Sequence, residues 1–117
     1  ADEMRRIGLD AEKIAPVRRA AARALTDEER EFMETDPERR FAYLWTRKEA
    51  VLKCTGAGLS QPMNAFSVLG DTASPEGALL SLYTETICCR RLRRARRYLR
   101  RSASMLWSFC KEDTLWN

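Results

Sequence analysis

The apolar positions between residues 39 and 60 recur with the period of an α-helix. Four apolar side chains fall within about a third of a helical turn and predict a face packed on the core: Phe41, Leu44, Val51 and Leu52. Three polar or aromatic side chains follow at steps of four along one edge of that face: Trp45, Glu49 and Lys53. An aromatic ring, an acid and a base therefore line the boundary between core and solvent, where a cleft would lie.

The beginning and end of this helix are also marked in the sequence. Asp36 suits the N-cap position and Pro37 suits the first helical position. We expect the helix to continue to Cys54 or Thr55. Gly56 follows directly, which predicts a left-handed C-cap.

Two shorter helices are predicted before the long one. Residues 16–25 begin with a proline and are rich in alanine and arginine, which favours a helix. Thr26 and Glu29 have the spacing of a capping box, so a further helix is expected from Asp27 to about Glu34.

Three segments have the pattern of strands: residues 6–11, 66–69 and 79–88, with a turn over 70–77 between the last two. The period of two in the first strand places Gly8, Asp10 and Glu12 on one side. The order of strand, helices and further strands predicts an α+β domain, a small antiparallel sheet packed with helices.

The composition narrows the chemistry. The 117 residues suffice for one domain with a modest core, and the absence of histidine excludes histidine-based catalysis and histidine metal ligands. The four cysteines show no CxxC or framework spacing, which favours reduced thiols in a cytoplasmic protein. No apolar run approaches the roughly 18 residues of a membrane span, so no membrane partner is expected.

Two motifs resemble those of the 4'-phosphopantetheinyl transferase superfamily, in the expected order and at the expected separation. Residues 45–60, WTRKEAVLKCTGAGLS, are similar to W-[ST]-x-K-E-[AS]-x-x-K-x-x-G-x-G-L. Residues 7–12, IGLDAE, are similar to G-[IV]-D-[IV]-E. The resemblance is closest to the C-terminal half of the surfactin-synthetase-activating type and extends over residues 6–69. It implies a 4'-phosphopantetheinyl transferase-like half-domain.

The resemblance implies an activity and roles for four residues. A member of the family transfers 4'-phosphopantetheine from coenzyme A, the co-substrate, to a serine of an acyl or peptidyl carrier protein, and requires Mg²⁺. The acid matching Glu49 binds the metal and helps to deprotonate the serine, and the lysine matching Lys53 stabilises or protonates the departing phosphate. Lys48 and Trp45 match positions expected to contact the substrate, Lys48 through coenzyme A.

A magnesium site is predicted from three acids that belong to the two motifs. Asp10 and Glu12 are hard oxygen ligands on one side of the first strand, and Glu49 would approach from the long helix. Carboxylates without histidine or paired thiols favour Mg²⁺ over zinc. The predicted ligands are therefore Asp10, Glu12 and Glu49.

The same residues also have structural interpretations. Asp10 and Glu12 would form a solvated strand end, and Trp45 would be an aromatic residue at the edge of the core. Glu49 and Lys53 would form a surface ion pair worth about 0.3–0.5 kcal/mol. The chain would then be a truncated, non-catalytic remnant or a basic binding module. An active chain would need a missing N-terminal half or a homo-oligomer to complete its site.

The net charge of +4 comes from the end of the chain, since residues 88–117 carry nine basic and two acidic side chains. We therefore predict a transferase-like domain over residues 1–88 and a basic helical tail over 89–117, its apolar stripe formed by Leu92, Ala95, Leu99 and Leu106. The tail is either a lineage-specific helix or the product of a shifted reading frame. Its arginines would form a solvated face, bind an acidic partner such as the carrier protein, or bind nucleic acid. Nucleic-acid binding is not expected, because no supporting aromatic or zinc pattern accompanies them.

Overall fold

A computed structural model describes residues 6–58, 61–88 and 104–112 of the chain. In chain order its elements are strand β1 (Ile7–Lys13), helices α1 (Arg19–Ala22), α2 (Asp27–Met33) and α3 (Pro37–Thr55), and strands β2 (Thr72–Ala73), β3 (Leu80–Cys88) and β4 (Ser104–Glu112). Short 3-10 turns at Met63–Ala65 and Pro75–Gly77 lie between α3 and β3. The helices and the four-stranded antiparallel sheet confirm the predicted α+β class.

Helix α3 packs its apolar face against the sheet and forms much of the hydrophobic core. Leu44, Val51 and Leu52 are buried as predicted and belong to one cluster with the strand residues Leu80, Leu82 and Cys110. Phe41 is only half-buried and stacks on Trp45, with ring centroids 5.5 Å apart. The apolar stripe therefore sets the helix on the sheet and leaves its aromatic edge at the surface.

Both ends of α3 and both cap residues lie where the sequence predicts them. Gly56 ends the helix with a φ of 71°, the left-handed conformation predicted for this glycine. Pro37 occupies the first turn as expected. Asp36 is the N-cap residue, as predicted, although its side chain makes no capping hydrogen bond among the described contacts.

Of the two shorter helices, α2 forms as its local sequence signals predict, whereas α1 is shorter than predicted. The capping box is confirmed: Thr26 Oγ1 accepts from the Glu29 amide, and the Glu29 carboxylate accepts from the Thr26 amide at 2.8 Å. The helix predicted over residues 16–25 is reduced to the single turn α1. No residue of that described turn is buried, and short helices without packing are marginal in water.

Strand β4 corrects the interpretation of the end of the chain. It is an inner strand, since the order in the sheet is β1-β4-β3-β2. The predicted helical tail is therefore wrong for residues 104–112, which complete the sheet. The reason is a period of two in which Leu106, Ser108 and Cys110 are buried and the residues between them are more exposed. The rest of the predicted tail, residues 89–103 and 113–117, lies outside the described residues.

The strand predicted over residues 66–69 is wrong, although all four residues are described. Their backbone groups bond to side chains of the helices instead of to a neighbouring strand. The Phe66 carbonyl accepts from Lys48 Nζ at 2.7 Å, and the Val68 carbonyl accepts from Arg47 Nε at 2.8 Å. These bonds satisfy buried backbone groups as a sheet would, so the apolar pattern alone misled. The predicted turn that follows contains β2.

Candidate functional site

Gly8 brings strand β1 into direct contact with helix α3. A Cβ atom at this position would lie 2.1 Å from the Ala50 carbonyl oxygen and 2.6 Å from the Cys54 amide nitrogen. Only a residue without a side chain allows so close an approach of two backbones. Asp10 and Glu12 follow on the same side of β1 and therefore lie beside α3, Asp10 next to Lys53 and Glu12 at a cleft that Trp45 also borders.

An ion pair joins the strand to the helix at this point. Lys53 Nζ donates to Asp10 Oδ1 at 2.9 Å, with the Asp10 side chain 9% exposed and the Lys53 side chain 53% exposed. Among the described ion pairs the partner of Lys53 is thus Asp10, and the predicted i,i+4 pair with Glu49 is wrong. The contact gives Lys53 a fixed anchor while most of its side chain faces solvent.

Asp10, Glu12, Glu49 and Lys53 lie close together and are called here the charged cluster. Burial and the proximity of its three acids shift pKa values within it. Burial, followed by the nearby charge of Asp10, raises the pKa of Glu12 to about 7. The same two causes raise the pKa of Glu49. The hydrogen bond to Asp10 raises the pKa of Lys53, which keeps the ammonium charged. An acid that titrates near neutral pH beside a permanent cation is suited to proton transfer.

The predicted metal ligands Asp10, Glu12 and Glu49 are neighbours, and their role as a metal site stays a prediction. Within residues 6–58, 61–88 and 104–112, no group of three acidic or cysteine side chains is arranged to hold a metal ion. The donor chemistry nevertheless fits a hard cation, because carboxylate oxygens are what Mg²⁺ prefers. Asp10 Oδ2 is moreover buried without a hydrogen-bond donor in the described part of the chain. A cation, or a proton on Glu12, would satisfy the Asp10 carboxylate.

A cleft of about 490 Å³ opens next to this cluster. Its lining consists of Trp45, Glu49, Leu52, Lys53, Gly56, Gly58 and Met63. All of these except Met63 come from α3 and the turn that ends it. Trp45 also borders a smaller cleft of about 160 Å³, together with Glu12 and Arg18. The boundary position predicted for Trp45, Glu49 and Lys53 is thus where the structure places a cleft.

Lys48 does not reach this cleft. Its side chain is 0% exposed, and its ammonium group pairs at 2.8 Å with Oε1 of Glu29, which is also 0% exposed. Burial lowers the pKa of Lys48. In this structure the Lys48 side chain therefore points into the core, and the contact with coenzyme A that the resemblance implied stays a prediction.

The helical period contained a signal for the burial of Lys48. Lys48 lies four residues after Leu44 and four before Leu52, so the period places it inside the apolar face. Sequence reasoning also missed its partner Glu29, because the capping box explains Glu29 locally and shows nothing of the contact with another helix. No local pattern points to Met63 as part of the cleft.

The raised pKa of Glu12 predicts a pH dependence of stability. Between pH 4.5, the ordinary value, and about pH 7 the folded chain retains a proton on Glu12 that the unfolded chain has released. The free energy of unfolding should therefore fall as the pH rises through this window, with a slope of less than about one proton. Urea titrations across the window should show a smaller slope for Glu12→Gln than for Glu38→Gln, an exposed control on α3. Equal slopes would contradict the assignment.

Comparisons with known proteins agree on one family. A profile of the 4'-phosphopantetheinyl transferase superfamily matches residues 6–100. The 4'-phosphopantetheinyl transferase psf-1 of Bacillus pumilus is 36% identical over an alignment of 66 residues, and the match covers 52% of this chain and 28% of that protein. No solved structure matches the chain significantly. The profile covers both motifs, the whole of α3 and most of the sequence, and the chain therefore belongs to the 4'-phosphopantetheinyl transferase superfamily.

Proposed function

We propose that this chain transfers the 4'-phosphopantetheine group from coenzyme A to a serine of an acyl or peptidyl carrier protein. The observation that carries the proposal is the Asp10–Lys53 contact beside Glu49, at the edge of one cleft and within the segment matched by the family. This arrangement sets an acid and a charged donor side by side, as transfer of a phosphoryl-linked group requires.

In the proposed reaction, the carrier serine oxygen forms a bond to the phosphorus of 4'-phosphopantetheine as the pyrophosphate bond of coenzyme A breaks. Glu49 accepts the serine proton, and its carboxylate lies at the cleft edge. Lys53 stabilises the phosphate of the departing adenosine 3',5'-bisphosphate. Its ammonium group has three donors, so it can hold Asp10 and still bind a phosphate oxygen. Trp45 contacts the substrate at the cleft edge.

Asp10, Glu12 and Glu49 are the residues that would hold a magnesium ion. When bound, the ion would supply positive charge that offsets the charge of the phosphates. It would also favour ionised Glu12, because an adjacent cation lowers the pKa of a carboxyl group. Saturating Mg²⁺ should therefore flatten the pH dependence predicted above, and EDTA should restore it. An unchanged slope would count against a metal at Glu12.

The direct test is mass spectrometry of an apo carrier protein incubated with the chain, coenzyme A and Mg²⁺. We expect the carrier protein to gain the mass of one phosphopantetheine, and expect none without coenzyme A. A folded chain that gives no gain with carrier proteins from fatty-acid, polyketide, peptide and lysine metabolism would support the alternative, a non-catalytic remnant or binding module. The chain spans 28% of the length of psf-1, so activity of the isolated chain is itself part of the proposal.

A second half of the site stays a prediction. It would come from a missing N-terminal half or from another copy of the chain. Size-exclusion chromatography with light scattering, with and without coenzyme A, separates the two, because self-association appears as a doubled or tripled mass. A monomer that binds no coenzyme A would favour the remnant.

Location and the arginine-rich segment also remain predictions. Within the described residues, no helix combines the length and apolarity needed to cross a membrane. A cytoplasmic location is proposed from the cysteine pattern. Residues 90–101 lie outside the described part of the chain, and their binding to an acidic partner stays a prediction.

A further inference from the structure

Lys48 uses all of its hydrogen-bonding capacity inside the protein. Its ammonium group has three N–H donors, and three acceptors surround it: Glu29 Oε1 and the carbonyl oxygens of Met63 and Phe66. Lys48 Nζ also lies 4.6 Å from the centre of the Phe66 ring. The lysine is therefore saturated, and no donor remains for a ligand.

Glu29 and Arg47 extend this set of contacts along residues 63–70, called here the 63–70 segment. Glu29 Oε2 accepts from the Val68 amide at 3.0 Å. Arg47 donates to the carbonyl oxygens of Val68 and Gly70. Side chains of α2 and α3 thus supply the bonds that a neighbouring strand would otherwise supply, and they fix the path of the segment.

The 63–70 segment reaches the candidate site through Met63. Met63 is the lining residue of the 490 Å³ cleft that lies outside α3 and its C-terminal turn, and it shares the cleft with Trp45, Glu49 and Lys53. Its carbonyl oxygen is one of the three acceptors of Lys48. The buried ammonium group of Lys48 is therefore hydrogen-bonded directly to a residue that lines the cleft.

We propose that Lys48 is a positioning residue, which sets the width of the cleft by holding Met63 in place. The identity of the ligand, coenzyme A, rests on the proposed function. Met63 borders the cleft, whereas Glu49 and Lys53 carry the reaction. Loss of the Lys48 bonds should therefore weaken ligand binding more than it slows transfer of bound ligand.

The test compares Lys48→Met with the double variant Glu29→Gln/Lys48→Met. The single variant leaves the buried Glu29 carboxylate without a cation to balance its charge and is expected to unfold readily. The double variant removes both charges at similar volume, and the introduced amide oxygen can still accept from the Val68 amide. Arg39→Gln, an exposed cation on α3, is the control. Circular dichroism establishes folding, and hydrogen exchange reports on residues 63–70 independently of any ligand.

We expect the folded double variant to exchange faster in the 63–70 segment and to bind coenzyme A about tenfold or more weakly by calorimetry, with a smaller change in kcat. Met63→Ala should weaken binding in the same direction while exchange in the segment stays nearly normal. Arg39→Gln should change neither quantity.

Two outcomes would overturn the proposal. The first is normal exchange and normal affinity in the double variant. The second is a loss of affinity for coenzyme A but not for dephospho-coenzyme A with normal exchange, which would make Lys48 a direct ligand of the 3'-phosphate. If the unmodified chain binds no coenzyme A, the proposed function fails. The exchange measurement would then decide separately whether Lys48 fixes the segment.

Discussion

Replacing Gly8 with alanine is expected to lower the free energy of unfolding by about 3 kcal/mol and to separate β1 from α3. The added Cβ atom would sit 2.1 Å from the Ala50 carbonyl oxygen, which belongs to the backbone of a long helix and cannot rotate away. The strand must therefore move outward by more than an ångström. Asp10 and Glu12 would move with it, and the contact with Lys53 would be lost.

Gly70→Ala is the matched control for this variant. A Cβ atom at position 70 would have its nearest neighbour, the Thr72 amide nitrogen, 4.0 Å away, which is an ordinary contact. Urea unfolding of both variants should show a large loss for the first and a loss of no more than about 0.5 kcal/mol for the second. Similar losses would mean that the glycine at position 8 is not required by the close approach of the two backbones.

The Gly8→Ala substitution should also change the pKa of Glu12. If β1 moves away from α3, the burial that raises the pKa of Glu12 decreases. The pH dependence of stability between pH 4.5 and about 7 should therefore weaken in the variant. This second measurement separates displacement of the strand from a general loss of packing.

Sequence reasoning succeeded where a structure depends on residues that are close in the chain. The period of α3, the αL glycine at its end and the capping box of α2 are all local, and each appears where it was predicted. The side of β1 that carries Asp10 and Glu12 follows from the strand period in the same way. Even the boundary position of Trp45, Glu49 and Lys53 is a property of one helix.

The failures involve contacts between distant parts of the chain. Residues 66–69 look like a strand because they are apolar, but their backbone is bound by Arg47 and Lys48. Strand β4, which contains Ser108, lies between β1 and β3. Its sequence is a short segment after an arginine run, and nothing in that segment alone indicates an inner strand. The partner of Lys53 was assigned to its own helix because spacing along one helix is visible and the proximity of Asp10 is not.

One pair of neighbours in α3 shows how the two kinds of information combine. Lys48 and Glu49 are adjacent in the sequence, and the family motif places both of them in the site. The helix turns by about 100° per residue, so the two side chains leave it in different directions. Lys48 enters the core and binds the 63–70 segment, and Glu49 faces the cleft. A motif can therefore include a residue that packs in the core next to one that faces the cleft.

Replacing Glu49 with glutamine is expected to reduce transfer to a carrier protein by about 10²–10⁴-fold while the fold stays intact. Glutamine keeps the size of the side chain but cannot accept the serine proton. Glu49 is half-buried near Asp10, and removal of its charge relieves repulsion between acids, so stability should not fall. Circular dichroism and mass spectrometry of the carrier protein measure the two effects.

Magnesium separates the two roles assigned to Glu49. If Glu49 is a metal ligand alone, a high concentration of Mg²⁺ should restore the activity of Glu49→Gln by mass action. If Glu49 is the base, saturating Mg²⁺ leaves the loss in place, which is the result we expect. Glu38→Gln, an exposed acid in the first turn of the same helix, should remain fully active and controls for the change in net charge. Near-normal activity of Glu49→Gln at saturating Mg²⁺ would exclude Glu49 as the base and leave it, at most, the role of a metal ligand.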